Sequence, residues 1–67
     1  MFKLYDYTNG KMTILESFDN WLDAKKALDS FKKNNPDRLG FIAGRVKGKL
    51  KIDNADCPVS IMDLINL

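Results

Sequence analysis

The sequence predicts an α+β fold in a single small domain over residues 1–67. The expected order is ββαββ: an antiparallel sheet, one main helix packed on one face, and a short C-terminal helix. Three observations carry this. Asn9-Gly10 sits between two stretches of alternating apolar residues, the signature of a hairpin. Residues 20–34 place apolar side chains three and four apart and end on Asn-Asn-Pro. The stretch "FIAGRVKGKLKI" returns to a spacing of two, broken by glycines.

In the first element, "YDYTNGKMTI", Asn and Gly both tolerate the positive φ that a two-residue type I′ turn requires. That turn would pair Tyr7 with Met12, Tyr5 with Ile14 and Lys3 with Glu16 on one face. It would pair Leu4 with Leu15, Asp6 with Thr13 and Phe2 with Ser17 on the other. Both faces carry apolar groups, so both are expected to be covered. The hairpin should run from about Phe2 to Phe18.

The second element is "SFDNWLDAKKALDSFKKNNPD". Trp21, Ala24, Leu28 and Phe31, with Ala27 beside them, form one helix face. Asn20 with Asp23 has capping-box spacing, and Asp19 offers a second cap. Early acids and the late Lys32 and Lys33 suit the helix dipole. Asn34-Asn35-Pro36 stops the helix, which should span about Asn20 to Asn34. Trp21 is expected as a core anchor at the helix start.

In "FIAGRVKGKLKI", Ile42, Val46, Leu50 and Ile52 are even-numbered, while Arg45, Lys47, Lys49 and Lys51 are odd. A two-residue turn at Lys47-Gly48 would set Arg45 opposite Leu50 and mix the two sets. An odd-length loop centred on Gly48 pairs Val46 with Leu50 and keeps cations and aliphatics on separate faces. A single long strand bent at Gly44 or Gly48 has the same parity. The hairpin with the odd loop is the preferred reading, with Gly40, Gly44 and Gly48 bending the ribbon. The tail "DCPVSIMDLINL" reads as a short helix capped by Ser60 and Asp63, its apolar side made of Ile61, Leu64, Ile65 and Leu67. A strand over 59–67 is the alternative, because Val59, Ile61, Ile65 and Leu67 share parity.

Composition narrows the function. Sixty-seven residues, 45% of them hydrophobic and 30% charged, make one globular domain near the lower size limit for a self-sufficient core. No apolar run approaches the roughly 20 residues of a bilayer span, and no signal-peptide pattern opens the chain. The lone Cys57 suits a reducing compartment, so a cytoplasmic location is expected. The absence of histidine removes Ser-His and Cys-His nucleophilic pairs and His-ligated zinc. No catalytic residue, metal ligand or cofactor is therefore assigned, and the protein is expected not to be an enzyme. Cys57, in Asp56-Cys57-Pro58, is expected to be an inert, partly buried thiol with a pKa raised by its carboxylate neighbour.

A net charge of +2 conceals a basic middle. Residues 25–52 carry nine cations against two carboxylates, a net +7, flanked by segments of net −2 and −3. The candidate partner-binding residues are Arg45, Lys47, Lys49 and Lys51 of the ribbon, with Arg38, and the tyrosines Tyr5 and Tyr7 of the sheet. Lysine and arginine neutralise phosphates or acidic proteins, and tyrosine serves at interfaces or stacks bases. The competing structural roles are solvation and edge protection for the cations and core packing for the tyrosines. Because Arg45 to Lys51 contains no aromatic residue, a protein or nucleoprotein partner is favoured over bare nucleic acid.

In organisation, rather than through a diagnostic motif, the chain resembles small accessory proteins of phages and mobile elements, particularly compact anti-CRISPR proteins. "TNGK" between strands, "SFDNWLDAKKALDSF" as the helix and the glycine-broken basic ribbon carry the resemblance. It implies a phage-encoded, non-enzymatic inhibitor in the host cytoplasm, covering a surface of a defence nucleoprotein complex. Acidic DNA mimicry, known among such proteins, does not suit the basic middle. The alternative is a small nucleic-acid-binding regulator that uses the same ribbon. Either could be a monomer or a homodimer.

Overall fold

The structure, a computed structural model, describes residues 1–54 and 57–67. Its elements follow the expected order. Strands β1 (Phe2–Asp6) and β2 (Thr13–Phe18) form the first hairpin, and helix α1 (Trp21–Asn34) follows. Strands β3 (Gly40–Val46) and β4 (Lys49–Asp53) form the second hairpin, and a five-residue helix α2 (Ile61–Ile65) closes the chain. The four strands make one antiparallel sheet in the order β2-β1-β3-β4. The tail is helical as expected, and the alternative of a strand over 59–67 is not adopted.

Two cores lie on opposite sides of the sheet, because β1 and β3 are central and apolar on both faces. Under α1, Phe2, Leu4 and Ile42 meet Ala24 and Leu28, with Phe18, Trp21, Ala27 and Phe31 around them. On the other side Tyr5, Tyr7, Phe41, Ala43 and Cys57 pack together, flanked by Met12, Leu50, Ile52, Val59 and Leu67. Tyr5 stacks on Phe41 at 4.8 Å, and Tyr7 meets the same ring edge-on at 6.0 Å. The C-terminal segment supplies the lid of this second core.

Asn20 caps α1 as expected: its Oδ1 accepts from the Asp23 amide at 2.9 Å, and its Nδ2 donates to the Asp23 carboxylate at 3.0 Å. At the far end, the backbone N–H of Asn35 donates to the Phe31 carbonyl. The stripe of Ala24 and Leu28 is buried, and Trp21 meets Phe2 edge-on at 5.2 Å.

The first hairpin departs from the expected register. Tyr5↔Ile14 and Asp6↔Thr13 pair as predicted, but a bulge beyond them pairs Leu4 with Glu16, Lys3 with Ser17 and Phe2 with Phe18. Asn9 and Gly10 do take positive φ, at 65° and 74°. The connection is nevertheless wider than two residues, because Tyr7 and Thr8 are drawn to the other neighbour of β1. The Tyr7 amide donates to the Leu39 carbonyl at 2.7 Å, and the Leu39 amide donates to Thr8 Oγ1 at 3.2 Å.

The second hairpin overturns the odd-loop expectation. Arg45 pairs with Leu50 and Val46 with Lys49, across a two-residue turn in which Lys47 has φ 53° and Gly48 φ 79°. The parity argument failed because it required β3 to have one apolar face. Gly40, Phe41, Ile42 and Ala43 are instead buried in succession. Ile42 and Val46 therefore share the α1 face with Lys49, Lys51 and Asp53. Arg45 shares the opposite face with Leu50 and Ile52. Gly40 also serves close packing rather than bending, since a Cβ there would meet the Phe31 ring at 2.6 Å.

A third correction concerns α2. Leu64 and Leu67 turn inward, but Ile61, Met62 and Ile65 are 75%, 69% and 67% exposed. The Tyr7 hydroxyl donates to the Asp63 carboxylate, which turns the Asp63 edge of the helix toward the sheet and its isoleucines outward.

Candidate interaction surfaces

The mixed register divides the seven candidate residues among different environments. Tyr5 and Tyr7 are in the second core, 8% and 7% exposed. Burial raises the Tyr5 hydroxyl above the usual tyrosine pKa, since desolvation penalises the phenolate. Neither ring face is open to a stacking base.

Arg38 is engaged within the fold. Its Nη1 lies 2.7 Å from Asp6 Oδ2, and Asp6 Oδ1 also accepts from the Thr8 amide at 2.9 Å and the Thr8 hydroxyl at 2.5 Å. The Thr8 hydroxyl, the Thr8 amide and the Arg38 guanidinium hold the Asp6 carboxyl below the ordinary aspartate range, against the opposing effect of desolvation. Lys25 pairs with Asp53 across the space between α1 and β4, which raises its pKa. The acidic flanks of the sequence thus neutralise part of the basic middle.

Lys51 lies 4.4 Å from the centroid of the Trp21 ring, a cation–π contact between the edge strand and the helix start. This pairing was not legible from spacing, because its register depends on the turn at Lys47-Gly48. The hairpin end remains outward: Arg45, Val46, Lys47, Gly48 and Lys49 are exposed in succession. Among the described residues neither Lys47 nor Lys49 has an ion-pair partner.

Arg45 stands apart from these lysines, on the face opposite α1. Its guanidinium donates to the backbone oxygens of Leu67 at 3.0 Å and Gly48 at 3.4 Å. Beside it is a hollow of about 300 Å³, whose lining includes Lys3, Tyr5, Ala43, Leu50 and Leu67. Lys3 entered the sequence reading only as the expected partner of Glu16, on the face of the tyrosines. Its position across from Ala43 and diagonal to Arg45 follows from the β1–β3 pairing, which alternation within one strand does not reveal.

Cys57 is 2% exposed, and its thiol pKa is raised, first by burial and second by the Asp6 carboxylate. The expected influence of Asp56 lies outside the described residues. Among the described residues no cluster of His, Cys, Asp or Glu has the arrangement of a metal site, and no helix is long and apolar enough to cross a membrane. No protein-family model, curated protein or solved structure matches the chain.

Proposed function

We propose that the protein is a non-catalytic interaction module that sets its β3–β4 hairpin on an acidic surface of a protein or nucleoprotein complex and inhibits that complex by covering it. The observation that carries this reading is the exposed hairpin end, where Lys47 and Lys49 surround Val46 without an ion-pair partner among the described residues. Cations around an apolar residue match the polar-rim, apolar-centre composition of protein interfaces. Burial of Tyr5 and Tyr7 withdraws the stacking platform that a binder of bare nucleic acid would use, which favours the protein or nucleoprotein partner. The resemblance in layout to anti-CRISPR proteins makes cytoplasmic RNA-guided defence complexes the first targets to assay.

The test is target-DNA cleavage by purified RNA-guided nucleases of several classes, with and without the protein. Inhibition by the wild type should fall at least about tenfold in the Lys47→Glu/Lys49→Glu double variant, since like charges would then face the acidic target. Circular dichroism should remain unchanged. An absence of both binding and inhibition across these complexes would remove the inhibitor reading. Salt-sensitive binding to free DNA or RNA, lost in the same variant, would replace it with the nucleic-acid regulator.

A further inference from the structure

The two edges of the sheet are guarded differently. β4 carries Lys49 and Lys51 and is tied to α1 through the Lys25–Asp53 ion pair and the Lys51–Trp21 contact. Lysines on an edge strand discourage pairing with a further strand. β2, at the other edge, has neither lysine nor proline, and Thr13 to Ser17 are exposed in succession. Its Ile14 and Leu15 are 55% and 46% exposed. The direction of its backbone groups follows from β1. Just beyond β1, the Tyr7 amide donates to the Leu39 carbonyl, so by alternation Tyr5 and Lys3 also turn their N–H and C=O toward β3. Their partners on β2, Ile14 and Ser17, therefore turn theirs to the open edge. Charge gives the strand a polarity as well. Lys11 precedes it, while Glu16 and Asp19 mark its end, all exposed and without an ion-pair partner among the described residues.

We propose that β2 is a dimerisation edge, which pairs antiparallel with β2 of a second copy so that Ile14 of each stands opposite Ser17 of the other. The bulge selects this occupant. A regular strand presents its outward backbone groups at every second residue, but Leu15 is the extra residue of the bulge and sets Ile14 and Ser17 three apart. A second copy has the same spacing, so both outward pairs meet at once around a two-fold axis. Leu15 of one copy then lies across from Glu16 of the other, and no like charges are opposed. The antiparallel direction also brings the Lys11 end of each strand to the Asp19 end of its partner, twice over by symmetry. Parallel pairing would set Lys11 beside Lys11. The two four-stranded sheets continue into one, with the β3–β4 hairpins at its far ends, and the proposal does not depend on the role of those hairpins.

Sedimentation equilibrium of the full chain, over a concentration series reaching the millimolar range, tests the assignment. The mass should rise from 7.7 kDa toward twice that value. Ile14→Lys puts a charge on the edge, and Ser17→Pro removes an N–H that β1 does not use. Each should weaken the dimer by about tenfold or more while circular dichroism stays unchanged. Lys11→Glu should weaken it by about threefold or more, and adding Asp19→Lys should restore it to within about twofold of the wild type. Amide exchange at Ile14 and Ser17 should slow as concentration rises, whereas that of Glu16, which faces β1, should not. A 7.7 kDa species throughout overturns self-association, even if it pairs an extended segment of another protein at the same amides. A dimer that both Ile14→Lys and Ser17→Pro leave intact overturns the edge and moves the contact elsewhere, the exposed Ile61, Met62 and Ile65 of α2 being the first surface to vary.

Discussion

Asp6 gathers three donors, two from Thr8 and one from Arg38, and ties the end of β1 to the segment entering β3. Its lowered pKa fixes the sign of its pH dependence. A carboxylate favoured in the folded state contributes fully above its unfolded pKa of about 3.9, and that contribution is lost as pH falls through the lower folded value. Asp6→Asn should therefore cost about 1–2 kcal/mol in urea unfolding at pH 7. The difference from wild type should narrow near pH 3; a gap that is constant with pH would show that the carboxylate charge is not the cause. The sequence placed Asp6 opposite Thr13 correctly, but it held no sign of the Arg38 pairing, which spans 32 positions. The same limit hid the contact of Lys51 with Trp21. A spacing rule reads neighbours along an element, and these pairs arise between elements.

At the scale of elements, α1 was the most legible, because its cap, apolar stripe and stop signal are all local and agree. The second hairpin was legible as a hairpin but not in its parity. Face purity is a sound criterion for a strand with one wet side, and β3 is buried on both. The structure instead accepts a left-handed Lys47, a conformation that costs most side chains about 1 kcal/mol. Lys47→Asn, which supplies the Asn-Gly turn preferred in such hairpins, should raise the urea midpoint by the equivalent of about 0.5 kcal/mol. Gly48→Ala, at φ 79°, should lower it by about 1 kcal/mol. If both substitutions were neutral, the two-residue turn would not be the one populated in solution.

Across the whole molecule, the sheet is a partition between two small cores, and the C-terminal segment closes one of them. The Tyr7–Asp63 hydrogen bond fastens that segment, joining residues 56 positions apart. Tyr7→Phe retains the ring contact with Phe41 and removes only the hydroxyl. It should cost about 1–2 kcal/mol and speed amide exchange in α2 well before the sheet is affected. Exchange that accelerated uniformly would instead mean that the tail and the sheet open together.

Trp21 lends this partition a further use. It is the sole tryptophan of the chain and lies under Lys51, on the side of the sheet that carries the lysines of β4. Both tyrosines lie on the other side, in the second core. Indole emission therefore belongs to the hairpin side alone, so its occupancy can be followed in an unlabelled sample.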